Sequence, residues 1–429
     1  MKKIIEVKHL ARVEGDGGIY VEIENDQVKK VQMNIFEGPR LIEALAIGKL
    51  PEEVISFTPR ICAICTVSHK NVAIRSIERA LKYKEDKKTY FARELMHLGE
   101  IIESHSLHVF ALALPDYLGY PNVIAMVDKY EDVVKQALNL KKFGNKIMQI
   151  LNGKYIHGEN ATAGGFGKFP TKTELLEIKK EAEELLPFSI AATDIVGGLE
   201  LPDYLEEETV FICCNPTDNK FGFWGDELIF SNGKVISSKK YKENLVERTV
   251  PHSFAKRSLY KGKPFTVGAL ARLNCIGDRL KKEAGKKYKK YKNPRWLKNP
   301  LFNNLAQTIE MIYCLERIPE LVDILLKLPT PEFEKPAKKK GRGVGTVEAP
   351  RGLLVHDYSF EDGYVTNANI ITPTAYNLDD IEKYFKNSAF NLNKAGKNTD
   401  EIAFELEKIV RAYDPCISCA THLVKVVKK

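Results

Sequence analysis

Two Cys-x-x-Cys sequences stand at opposite ends of the chain, Cys62 and Cys65 in Arg-Ile-Cys-Ala-Ile-Cys, Cys416 and Cys419 in Asp-Pro-Cys-Ile-Ser-Cys. Thiolates are soft ligands for nickel, iron, zinc or copper, and a short loop can aim two of them at one point. In a zinc ribbon or knuckle, two such pairs lie roughly 12 to 20 residues apart, because one small module folds around the ion. Here 350 residues separate the pairs. One four-sulfur site therefore requires a large fold that brings both ends of the chain together.

A chain of 429 residues buries a substantial core, and length alone would allow two or three domains. We expect a single unit over 1–429, made of a β-rich N-terminal segment (1–48), a helical core carrying the first cysteine pair (49–205), a small mixed β segment (206–275), a helical segment (276–340) and a β segment plus the second pair (341–429). Hydrophobic residues make up 44% and charged ones 28%. No window approaches the roughly 18 apolar residues of a membrane span, so direct membrane insertion is not expected. The opening Met-Lys-Lys-Ile-Ile-Glu-Val-Lys is too charged for a signal peptide, which makes the cytoplasm the expected location, although a secreted partner could carry the chain along. Eight cysteines are too few for a disulfide scaffold, and Cys213, Cys214, Cys275 and Cys314 read as small buried hydrophobes.

The formal charge of +8 is localised, since Lys281 to Lys298 holds nine basic residues and one acid. The remainder is neutral, which argues against a nucleic-acid partner. Tyr288, Tyr291 and Trp296 interleave with these lysines, a pattern open to an anionic ligand, an acidic protein or a merely solvated helix face.

Residues 4 to 36 alternate in short runs around Asn25-Asp26 and predict a small antiparallel sheet with a tight turn. After Pro59 the pattern becomes helical. From Arg93, apolar positions Leu95, Leu98, Ile102, His105, Val109 and Leu112 recur at helical spacing until Pro115. Further helices are predicted at 123–151, 172–186 and 303–328, with small accessory sheets at 210–250 and 352–371. The stretch Lys335 to Gly345 reads as a loop or linker. The expected fold is mainly α with small β-sheets (α+β). A central bundle of long helices is joined by an N-terminal antiparallel sheet, and the metal site at the bundle is built from both termini.

Arg60 precedes the first pair, His69 follows it, and Asp414 with Pro415 precedes the second. Four thiolates carry a large negative charge, so cations and N–H donors are needed nearby. Taken together, Arg12-Val-Glu-Gly15, Glu37-Gly-Pro-Arg40, the Arg60 to Cys65 motif with His69, Glu348-Ala-Pro-Arg-Gly352, Thr372-Pro-Thr374 and Asp414 to Cys419 with His422 resemble the large catalytic subunit of nickel–iron hydrogenases. Gly164-Gly-Phe-Gly167 and Asn304-Leu-Ala-Gln307 look like its cytoplasmic, nicotinamide-linked branch, which includes the archaeal sulfhydrogenases.

The resemblance implies nickel held by Cys62, Cys65, Cys416 and Cys419, with Cys65 and Cys419 bridging to an iron that carries carbon monoxide and two cyanides. Dihydrogen has no dipole, so its heterolysis requires a Lewis-acidic centre beside a base. Cys416 would be the first proton acceptor and Glu14 would pass the proton outward. Arg351 would polarise the substrate and contact cyanide, with Pro350 and Thr374 lining the same pocket, and His69 and Asp414 would support the cluster. Glu43, the carbonyl of Ile370 and His422 would hold magnesium. Ser104 stands where some respiratory members have aspartate. That leaves Glu103, His105 and His108 unassigned, with His105 reading as a core histidine.

Once four cysteines are assigned, no motif remains for a chain of iron–sulfur clusters. The resemblance therefore implies a small iron–sulfur subunit, and diaphorase subunits that bind flavin and NAD(P). Some members of the branch also reduce polysulfide. It further implies nickel-insertion factors and a protease that removes residues beyond His422, here Leu423 to Lys429. A retained tail is expected to hold the second pair away from its closed position. Other readings of the same residues are a complex I-type docking or quinone subunit, a zinc-thiolate structural protein and a hydrogen sensor.

Overall fold

In the computed structural model, residues 2–84 and 86–421 are described. Four long helices form the centre. Lys172–Gly197 packs on Asn303–Lys327, which lies against Lys87–Ser106, which in turn packs on Val127–Asn152. Their apolar stripes make the largest core cluster. The α+β expectation holds, with the bundle central and the sheets around it.

Two helices run past their expected ends. Lys172–Gly197 begins with a Thr171/Glu174 capping box but runs through Pro187 instead of ending at Leu186. Pro115 does not stop its helix either. After Ser106 the chain widens into a π-helical turn, Leu107–Ala113, and resumes as Leu114–Leu118 with Pro115 in the first turn. A proline there sacrifices no N–H that the helix needs.

The N-terminal hairpin pairs Gly17–Glu24 with Gln27–Ile35 through Asn25 (φ 50°) and Asp26 (φ 61°). Positive φ at both central residues makes the two-residue turn compatible with strand twist. Lys2–Val7 flanks the hairpin on one side. On the other, Ser253–Tyr260 and Leu245–Val250 extend it to five strands, with Ser253–Tyr260 parallel to Gln27–Ile35 and antiparallel to Leu245–Val250. The N-terminal sheet is thus larger than expected and not wholly antiparallel. Sequence-local alternation carries no information about partners more than 200 residues away.

The linker expected at Lys335 to Gly345 is only half a loop. Gly341–Ala349 is a strand of a three-stranded sheet with Gly352–Glu361 and Tyr364–Ile371. Gly343 and Gly345 share one face of it, and a Cβ on either would collide with carbonyls of the Thr66–Leu81 helix, those of Ser76 and Val72. The glycines are there so that the strand can lie on the helix.

The basic stretch is neutralised within the chain. Lys287, Lys290 and Tyr291 converge on Asp194, Lys282 meets Glu320, Lys292 meets Asp278, and Arg295 meets Glu206. Tyr288 and Trp296 are buried core residues. The stretch thus combines a face of paired lysines with two aromatic rings in the core.

Candidate metal centre

A third apolar cluster, with Ile42, Ile61, Val72, Val347, Leu354 and Ile370 among its members, surrounds the four cysteines between helix and three-stranded sheet. The first pair sits at a junction of elements. Cys62 ends the short helical turn Thr58–Ile61, and Cys65 precedes the Thr66–Leu81 helix. Cys62 Sγ accepts the N–H groups of Ile64 (3.3 Å) and Cys65 (3.4 Å). Cys416 likewise precedes the helix Ile417–Ala420, and its N–H is held by Thr374 Oγ1 at 2.8 Å.

All four sulfurs lie within 4.8 Å of one another and all are buried. Cys62 Sγ and Cys416 Sγ are 3.3 Å apart, Cys65 Sγ and Cys419 Sγ 3.4 Å, Cys416 Sγ and Cys419 Sγ 2.8 Å. No disulfide joins them. Burial pushes the Cys416 and Cys419 thiols well up, whereas the sulfurs of Cys416, Cys419 and Cys65 around Cys62 pull that thiol down. Protein charge alone therefore does not hold four thiolates together here. A soft cation would, and the donor set of four clustered sulfurs fits one. The open arrangement expected of a chain retaining its tail is not observed, because the second pair reaches the first. His422 and residues 423–429 lie outside the described residues.

Arg351 lies in the electrostatic field of Cys416, Cys62 and Cys65 and is 4% exposed. Asp414 fixes it, accepting from Nε at 3.1 Å and Nη2 at 2.9 Å. Nη1 is buried with no hydrogen-bond partner among the described residues. A buried donor left open in this way is costly unless something completes it. Pro350 gives its carbonyl to Arg272.

Glu14 forms an isolated parallel bridge with Cys416, and its carboxylate accepts from the Ser418 N–H (3.2 Å) and the Ser418 hydroxyl. It is half-buried, at the rim of the site. His69 is fully buried and pushed down to about 4 by that burial, with Nε2 3.8 Å from Cys419 Sγ. At the second predicted metal position Glu43 meets the N–H of Ile370 and, at 3.6 Å, Lys256 Nζ. Glu43 Oε1 accepts the Ile370 N–H at 2.6 Å, and burial pushes its carboxyl up to about 7.

Several supporting residues carry no distinguishing signal in the sequence. Arg60, expected to balance the thiolates, points outward to Glu159. Arg40 does the structural work instead. It donates to the Ile61 carbonyl (2.7 Å) and the Ser418 carbonyl, stapling one cysteine loop to the other. Glu100, buried on the Lys87–Ser106 helix, caps the helix that follows Cys65, accepting from Val67 N (2.5 Å) and Ser68 N (2.9 Å). Behind Arg351, Arg272 binds Glu310 twice at 2.6 Å, Glu348 at 2.8 Å, and the carbonyls of Ala349 and Pro350. His105 joins through Glu310 at 2.8 Å, so the expected core histidine belongs to a buried ionic network. His108 bonds Gln307 and the Arg411 carbonyl. Replacing Arg272 with leucine leaves two carboxylates buried without their cation. This is expected to cost about 3–5 kcal/mol, read as a lowered melting temperature, and an unchanged melting temperature would contradict this account of the network.

The nickel-dependent hydrogenase family model matches residues 40–135 and 229–422, both cysteine pairs included. The chain belongs to the nickel-dependent hydrogenase family. Among relatives of this hydrogenase chain, sulfhydrogenase 1 subunit alpha of Pyrococcus furiosus is 40% identical over 423 residues, covering 98% of each chain. Sulfhydrogenase 2 subunit alpha of the same organism is also 40% identical, covering 99% of this chain and 100% of that one. An NAD+-reducing [NiFe]-hydrogenase in the H2-reduced state superimposes with a TM-score of 0.89 at 28% identity, covering 98% of this chain and 99% of that one. The protein is therefore a hydrogenase, an oxidoreductase that acts on dihydrogen, of the large-subunit type. Among the described residues, no helix of this hydrogenase is long and apolar enough to cross a membrane.

Proposed function

We infer that this hydrogenase splits and forms dihydrogen at nickel held by Cys62, Cys65, Cys416 and Cys419. Cys65 and Cys419 would also hold an iron bearing one carbonyl and two cyanides. The convergence of four buried sulfurs within 4.8 Å carries the reading. Bound there, the metal pair would supply the Lewis acidity that polarises dihydrogen.

The chain supplies the rest. Arg351, locked by Asp414, offers its free Nη1 as a preset donor beside the sulfurs, so that no reorganisation is needed when charge develops. Cys416 Sγ accepts the proton. Glu14 takes it outward, because it is bridged to Cys416 through the backbone and half-exposed at the rim. The apolar cluster around the sulfurs keeps bulk water off them. Pro350 and Thr374 would line the cyanide pocket, with His69 supporting Cys419. Glu43, the Ile370 carbonyl and His422 would hold magnesium.

Among the described residues there is no second group of three or more metal-ligating side chains. Electrons must then leave through another polypeptide, which we read as a small iron–sulfur subunit. Kinship with sulfhydrogenase alpha subunits and an NAD+-reducing enzyme supports an onward route through flavin-bearing diaphorase subunits to NAD(P), in the cytoplasm. Removal of residues 423–429 by a maturation protease, after nickel-insertion factors have acted, belongs to the same reading.

Infrared spectra of the protein purified with its co-expressed partners test it directly. One carbonyl and two cyanide bands are expected, together with nickel and iron in the preparation. Zinc alone, with no such bands in tail-cleaved protein, would replace the hydrogen-splitting centre with a structural one.

A further inference from the structure

A line of buried polar groups runs away from the sulfurs through His69, His356 and Tyr358. His69 Nε2 lies 3.8 Å from Cys419 Sγ. His69 Nδ1 lies 3.1 Å from His356 Nε2, and His356 Nδ1 lies 2.7 Å from Tyr358 Oη. All three side chains are 0% exposed. His356 and Tyr358 share the strand Gly352–Glu361 two residues apart, so both face the Thr66–Leu81 helix that carries His69.

With both imidazoles neutral, only two proton arrangements satisfy every contact of the series. In one, Tyr358 donates to His356 Nδ1, His356 Nε2–H donates to His69 Nδ1, and His69 Nε2–H donates to Cys419 Sγ. In the other, every bond is reversed. The reversed chain takes its first proton from Cys419 and leaves the Tyr358 hydroxyl as acceptor, with its own proton unplaced. No further hydrogen bond of Tyr358 Oη occurs among the described residues, and a buried hydroxyl proton without an acceptor is costly. A metal-ligating thiolate has no proton to give. Both ends of the line therefore favour the same direction.

We propose that Tyr358 and His356 are positioning residues that fix His69 in its Nε2–H tautomer, so that it donates to Cys419 Sγ. Tyr358 starts the relay because a phenol is the one member with a single fixed donor. His356 converts that donor into a second one across the strand-to-helix gap. The consequence at the sulfur rests on the reading of Cys419 as a metal ligand. The Tyr358 end does not, because its hydroxyl has only His356 Nδ1 as acceptor among the described residues, and that alone sets the tautomer in the metal-free chain. The role matches a general pattern in which a ligand's outer hydrogen bonds orient it and tune its charge.

The test is ¹⁵N NMR of the full chain, metal-free, labelled in its histidine rings, with His69 assigned by the signals lost in His69→Gln. Nine histidines make the spectrum tractable. Wild type is expected to show His69 and His356 as single Nε2–H tautomers. Tyr358→Phe keeps the ring and the packing, and it should lose the single-tautomer signal in favour of a mixture. His356→Leu should do the same at His69. His356→Gln should restore it, since the amide oxygen accepts from Tyr358 and the amide N–H donates to His69. A proton on His69 Nδ1 in wild type overturns the proposal without any variant, as does a Tyr358→Phe spectrum identical to wild type. Absence of carbonyl and cyanide bands from the assembled protein would remove the metal reading and leave this outcome standing.

Discussion

Cys65→Ser is expected to strip nickel from the purified protein and bring dihydrogen-driven dye reduction to background. The sulfur sits 3.4 Å from Cys419 Sγ inside a site where all four sulfurs are buried. A serine hydroxyl is nearly the same size but hard, and it stays protonated at neutral pH, so it is a poor match for soft metals. Losing a residue that merely orients a ligand typically costs 10–100-fold in metal affinity, and removing the ligand itself should exceed that. Cys314→Ser is the control. That cysteine is just as buried but lies in the helical core, away from the site, so nickel should be retained. Full nickel occupancy in Cys65→Ser would mean that the four-sulfur geometry is not the metal site.

The second large effect is expected at Glu14. Glu14→Gln keeps a carbonyl oxygen for the Ser418 N–H and hydroxyl, so the bridge to Cys416 and the fold should survive. What it loses is a group that takes up and releases a proton. Positioned acid–base groups contribute roughly 10²–10⁴-fold, and turnover should fall by about that range with nickel content unchanged. Glu14→Asp should recover part of the rate. A Glu14→Gln enzyme within a few-fold of wild type would show that protons leave by another way. The combination of full nickel and low turnover separates this variant from Cys65→Ser.

The four clustered cysteines were legible in the sequence because Cys-x-x-Cys is a local signal and because a separation of 350 residues rules out a small zinc module. Arg351 and Glu14 were legible only through the resemblance, since neither stands out among the charged residues of its own neighbourhood. The supporting network was not legible at all. Arg272, Glu310 and Glu100 sit in ordinary helical sequence. Their importance arises from partners 32 to 205 residues away in the chain, as between Glu100 and Ser68 or Glu310 and His105. The linker at Lys335 to Gly345 failed for a related reason. Alternating glycines mark flexibility when seen alone and close approach when a helix lies against them.

By itself, the sequence determined the chemistry on offer and the class of fold. It held four soft ligands in two loops, helices long enough for a bundle, and no apolar run long enough to span a membrane. Local patterns of spacing and polarity encode such properties, because they depend on each segment's own periodicity. Only the tertiary structure decided that the two loops meet, that Arg40 staples them, that Arg351 rather than Arg60 faces the sulfurs, and that His69 is backed by His356 and Tyr358. Those outcomes depend on which buried polar groups find partners across the core. Burial makes an unpaired group expensive, so the completed network selects the arrangement, and no single segment contains enough of that network to announce it.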